Sequence, residues 1–144
     1  MRLLAAALVG MLLCAPVCAQ NRVVLVADRT SPIETLSSFE VRGVYLGIAV
    51  FKGGRAVRAL RNASDPRLNG VFLQSVVGLS QERYERRVLT NVFKFGTVRP
   101  EEFLDSTKLM QALRSNPYAV TYLWVSDDDV PEGLKVLRVL WQDF

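Results

Sequence analysis

The 144-residue chain contains no histidine, which removes the commonest general base and metal ligand at once. Its two cysteines, Cys14 and Cys18, both fall in the first nineteen residues. That stretch has the build of a secretory signal: Arg2 as a basic start, an apolar run Leu3–Leu13, and Val17-Cys18-Ala19 as a small-residue cleavage site before Gln20. The run is short for a membrane span, and bulky Leu13 and Val17 before the two cysteines argue against lipidation. The expected organisation is a signal peptide over 1–19 and one domain over 20–144, with export to the periplasm. The mature chain then has no thiol, which excludes disulfide, thiolate–zinc and cysteine-nucleophile chemistry. It also lacks a large excess of one charge. Without Arg2, 17 basic residues face 14 acidic ones, too slight a surplus for a nucleic-acid binder.

Half of the residues are hydrophobic, which supplies one real core and excludes disorder. The organising stretch is Leu36–Gly47. Ser37 and Glu40 have capping-box spacing, and Leu36 with Val41 forms a hydrophobic staple. Val41, Val44 and Tyr45 repeat at helical spacing, and Gly47 stops the helix. An apolar strand, Arg22–Asp28, precedes it, a run that suits a sheet covered on both faces. Lys52-Gly53-Gly54 is a turn, and Ala56–Arg61 is a second strand.

Asp65 is an N-cap with Pro66 at the first helical position. The helix it opens carries Leu68, Val71, Phe72, Ser75 and Val76 as its buried stripe, up to Gly78. Ser80 caps a third helix whose inner face is read as Tyr84, Val88, Leu89 and Val92. Phe93–Pro100 reads as a turn region, with Phe93 and Phe95 as core aromatics. Asp105 or Ser106 caps a fourth helix with Leu109, Met110 and Leu113. Tyr118–Val125 and Leu134–Trp141 are the last strands, and Trp124, Trp141 and Phe144 are read as packing residues. Strands alternating with helices imply an α/β fold with a mostly parallel sheet flanked by helices.

Catalysis finds little support. Glu101-Glu102 and Asp127-Asp128-Asp129 are carboxylate clusters, but adjacent acids on turns are ordinarily solvated. The aspartate run lacks the spacing and closing glutamate of an EF-hand. A terminal Phe144 can end an outer-membrane barrel strand, yet the chain has too few alternating strands for one. No cofactor or metal is expected.

The order Arg22–Asp28, Ser31-Pro32-Ile33, Leu36-Ser37, Val44-Tyr45-Leu46-Gly47 and Asn116-Pro117-Tyr118-Ala119-Val120-Thr121-Tyr122-Leu123 resembles the phosphate-binding proteins of ABC transporters. It is most similar to small exported relatives that keep about one lobe. The resemblance covers most of residues 22–125 and implies a single lobe of a type II periplasmic-binding-protein-like fold. It implies a non-enzymatic role in phosphate uptake or sensing, with phosphate or another small oxyanion as ligand.

The family's arginine and Ser-Gly-Thr helix start match Arg61 and, with departures, Asp65-Pro66-Arg67. The implied ligand-binding set is Arg61, Asn62, Ser64, Asp65, Arg67 and Asn69. Asp65 places a carboxylate where an anion would sit, and Pro66 removes one N–H donor. A second reading therefore stands beside the first: a ligand-free lobe kept as a docking module for an envelope protein. A second copy of the chain is a further possible partner, since a single lobe leaves a sheet edge open.

Overall fold

The computed structural model describes residues 21–126 and 129–143. The signal-peptide reading, Asp127, Asp128 and Phe144 lie outside them. The elements are β1 (Asn21–Asp28), α1 (Ser38–Tyr45), β2 (Phe51–Lys52), β3 (Arg55–Ala56), β4 (Arg58–Asn62), α2 (Pro66–Val71), a π-helical segment (Phe72–Val77), α3 (Gln81–Phe95), β5 (Glu101–Phe103), α4 (Ser106–Ser115), β6 (Ala119–Ser126) and β7 (Leu134–Gln142). The main sheet has the order β5-β4-β6-β1-β7, and β2 with β3 forms a separate hairpin.

Four of the five strands share a direction, as the sequence suggests. β4 pairs parallel with both β5 and β6. β1 is the exception: it lies between β6 and β7 and runs antiparallel to each. Alternation along β1 then explains its apolar run. Val23, Leu25 and Ala27 enter one core with Val120 and Tyr122, under α1, the π segment and α3. Val24 and Val26 enter the other with Leu109 and Leu113 of α4. A strand covered on both faces has no position left for a polar residue.

The capping box of α1 forms in full. Ser37 Oγ accepts from the Glu40 N–H at 3.1 Å, and Glu40 Oε1 accepts from the Ser37 N–H at 3.0 Å. That backbone N–H, with the Lys52 ammonium, holds the Glu40 carboxyl below its usual range. Lys52 bridges to it at 2.9 Å and ties the β2–β3 hairpin to the helix. At the other end, α3 and the loop after it satisfy two carbonyls. Asn91 Nδ2 donates to the Leu46 carbonyl at 2.8 Å, and Thr97 Oγ1 donates to the Gly47 carbonyl at 2.5 Å. Gly47 itself has φ +83°, the left-handed stop expected of it.

Five local expectations are corrected. The Ala56–Arg61 strand divides into β3 and β4. The second helix changes to π geometry at Phe72, and the wider turn delays its inward face by about one residue. Leu73 and Val77 are therefore buried, and Ser75 is exposed. On α3 the inner face is Tyr84, Val88 and Asn91, while Leu89 is exposed. Phe93 and Phe95 are not core: they are 82% and 53% exposed. Phe93 lies two residues past Asn91, roughly 200° around the helix from the buried stripe. Finally, Glu101-Glu102 is no turn but the start of edge strand β5.

Candidate functional site

β4 carries Arg61 and Asn62 to the C-terminal end of the sheet, on the last two residues before the loop into α2. Both side chains are buried. Alternation puts Arg61 on the face of Val57 and Ala59, the face covered by aromatic residues. There Phe72, Tyr45, Tyr84 and Tyr122 form one cluster. Phe72 stacks on Tyr122 at 4.4 Å and meets Tyr45 and Tyr84 edge-on at 5.1 and 5.8 Å.

The Arg61 guanidinium enters this cluster, 4.7 Å from the Tyr84 ring centroid and 5.2 Å from that of Phe72. Its side chain is only 3% exposed. A buried cation needs both a π face and a counter-charge. Parallel pairing supplies the second, because Arg61 is the register partner of Glu102 on β5. Arg61 Nη1 donates to Glu102 Oε2 at 3.3 Å, and Nη2 donates to Asn69 Oδ1 at 2.5 Å. Glu85 lies 3.9 Å from Nη1 and is itself engaged by Arg99. Arg61 Nε and the Tyr122 hydroxyl are both buried, and the Arg61 side chain is the hydrogen-bonding group beside that hydroxyl. Burial pushes the Tyr122 hydroxyl up to about 12, with the nearby Arg61 charge opposing the rise. Burial raises Tyr45 and Tyr84 as well, so all three phenols are neutral donors near pH 7.

The remaining residues of the expected set are contiguous but committed locally. Asn62 Nδ2 donates to the Tyr122 carbonyl at 3.1 Å, and its Oδ1 accepts from Ser64 N–H and Oγ–H at 3.2 and 2.6 Å. Asp65 Oδ1 accepts from the Arg67 N–H at 2.8 Å, so the carboxylate does cap α2. Pro66 contributes no donor, and the Asn69 N–H goes to the Asp65 carbonyl at 3.0 Å. The Arg67 guanidinium lies over the Trp124 ring at 4.9 Å, and Trp124 stacks on Trp141 at 5.5 Å.

Arg61 and Asn69 are thus brought together directly, Asn62 and Ser64 brace the loop, and Arg67 points to a different aromatic pair. The partners Glu102, Glu85, Tyr84 and Phe72 were not anticipated. Phe72 and Tyr84 are visible in the sequence as helix-stripe residues. Nothing in the sequence aligned Glu102 with Arg61, because β5 is three residues long.

A separate cleft of about 410 Å³ lies where the end of α1 meets β4 and the loop after α3. It is mainly apolar, with Val44, Ile48, Val57, Val98 and Pro100 among its walls, and none of the six expected site residues lines it. Among the described residues no group of His, Cys, Asp or Glu could hold a metal ion, and no helix is long and apolar enough to cross a membrane.

No protein-family model and no curated protein matches the sequence. The fold, however, has solved counterparts. One is a Clostridium perfringens protein assigned as a phosphate ABC transporter substrate-binding protein, with bound phosphate. It superposes with a TM-score of 0.61 at 16% identity, over 83% of this chain and 45% of that one. Another is an ABC-type phosphate transport receptor from Vibrio cholerae, with a TM-score of 0.57 at 17% identity, over 83% and 46%. The chain spans less than half the length of either protein, and its fold is that of a single lobe of theirs.

Proposed function

We propose that this protein is a non-enzymatic binding lobe of the phosphate-binding-protein type. Exported through residues 1–19, it works in the periplasm in uptake or sensing of phosphate or another small oxyanion. The observation that carries this reading is the Arg61 guanidinium. It is fixed between Tyr84 and Phe72 at the end of β4, beside Asn69, in a fold whose solved counterparts include one with bound phosphate. Arginine is the residue best suited to planar recognition of an oxyanion. Asn62 and Ser64 hold the adjoining loop in place through their mutual hydrogen bonds.

The site is a half-site. One lobe encloses one side of a ligand, so millimolar rather than micromolar affinity is expected unless a second surface completes it. Calorimetric titration with phosphate, with sulfate as control, tests the reading. Saturable heat that disappears in Arg61→Met supports it, and no heat from either anion at millimolar concentration removes it.

A second reading has its own observations. Asp65 and Glu102 place carboxylates at the two points an anion would use, the α2 start and the Arg61 guanidinium. A lobe that has filled its own site is a docking module for another envelope protein or for a second copy. Isolation from the native envelope as a monomer with nothing attached would count against that reading.

A further inference from the structure

The proposed anion site already holds a carboxylate. We infer that Glu102 is a built-in occupant of the Arg61 half-site, and that it sets the affinity for a small oxyanion by competing for the same guanidinium. The inference rests on the reading of Arg61 as the anion-recognising group and adds what regulates it.

The two partners are held very differently. The Arg61 side chain is 3% exposed and Glu102 is 44% exposed. The guanidinium is fixed by two rings and Asn69. Glu102 sits on a three-residue strand at the outer edge of the sheet. Its contact with Nη1, at 3.3 Å, is longer than the roughly 2.7–2.9 Å of a tight charge-assisted bond. The cation is therefore the rigid member and the carboxylate the one free to leave.

The guanidinium is also not saturated. Glu102 reaches one nitrogen, Nη1, through one carboxylate oxygen. A tetrahedral oxyanion replacing the carboxylate finds donors that Glu102 does not use. Glu85 is a weaker competitor, since it lies 3.9 Å away and is engaged by Arg99. Charge decides the balance. Arg61 and Arg99 against Glu85 and Glu102 sum to zero, so an incoming anion meets a neutral cluster. Neutralising Glu102 turns that cluster into a net cation.

The test is calorimetric titration of the purified protein with inorganic phosphate, comparing wild type, Glu102→Gln and Glu102→Gln with Arg61→Met. Circular dichroism confirms that each is folded, and Glu102→Ala serves as a second neutral variant. The inference expects phosphate to bind about tenfold more tightly to Glu102→Gln than to wild type, a gain that weakens with added salt. It also expects binding to vanish in the double variant. Equal affinity in wild type and Glu102→Gln, lost with Arg61→Met, overturns the competitor role and leaves the binding reading standing. No binding by any folded variant at millimolar phosphate overturns both.

Discussion

The two faces of the sheet are built from different materials. Beneath α4 the core is aliphatic: Val24, Val26, Leu60, Leu109 and Leu113. Beneath α1, the π segment and α3 the core includes three tyrosines and a phenylalanine, with a buried arginine among them. Two hydroxyls of that face are fully used. Tyr45 Oη donates to the Leu60 carbonyl at 3.1 Å, and Tyr84 Oη donates to the Tyr45 carbonyl at 2.7 Å. An aliphatic face needs only to fill space, whereas the aromatic face must fill space and solvate a charge. The difference sets the aromatic face apart as the one that carries the proposed site, because a buried cation is a costly way to hold a core together.

Truncation on each side gives the largest test of that contrast. Phe72→Ala removes a ring that touches both Tyr122 and the Arg61 cation, and is expected to cost about 3–5 kcal/mol. Leu109→Ala on the aliphatic face is expected at the lower end of about 2–5 kcal/mol. Urea denaturation measures both, and equal costs would reduce the cage to ordinary packing.

Alkaline pH separates the faces next. A phenol whose folded pKa is raised gives stability that is complete below the unfolded value near 10 and is lost as pH rises through the folded value. For Tyr122 that window runs from about 10 to about 12, a loss of roughly 3 kcal/mol by the usual 1.36 kcal/mol per unit. Tyr45 and Tyr84 shift in the same direction. Tyr122→Phe should therefore move alkaline unfolding to higher pH. An unchanged midpoint would mean that Tyr122 is not a titrating element of the aromatic face.

Much of this was legible in the sequence. The capping box, the Asp65 and Ser80 caps and the strand pattern rest on local spacing, which a sequence displays, and the single-lobe resemblance rests on the order of motifs along residues 22–125. The pairing of Arg61 with Glu102 depends on register between strands about forty residues apart, which no local pattern encodes. The π turn at Phe72 also hid from periodicity, because one widened turn exchanges Ser75 for Val77 on the inner face. Phe93 and Phe95 misled for the opposite reason. Their composition suggested burial, but Phe93 points away from the buried stripe of α3, and Phe95, although on the side of Val88 and Asn91, is the last residue of the helix before Gly96.

Smaller effects sharpen the picture at the helix ends and surface. Asp65→Ala removes the α2 cap and is expected to cost about 1 kcal/mol, read as a lowered urea midpoint. A gain in phosphate affinity in the same variant would show that the carboxylate had been repelling the ligand. Phe93→Ser is expected to change stability by less than about 0.5 kcal/mol, since the ring is exposed. A larger loss would place Phe93 in an interface already formed by the purified protein.

The reversed strand between β6 and β7 has a consequence in time. Among the described residues β1 is the first element made, yet its two neighbours are β6 and β7, the last two. A chain emerging from its N-terminus carries an apolar strand with no lateral partner until residues beyond 119 have appeared. Its ladder with β6 closes late, and closing it joins segments more than ninety residues apart. Such nonlocal closure slows folding relative to a helical bundle of equal size. The interval before the final strands arrive is when Val23–Ala27 stands bare, and it is then that a chaperone would have most to hold.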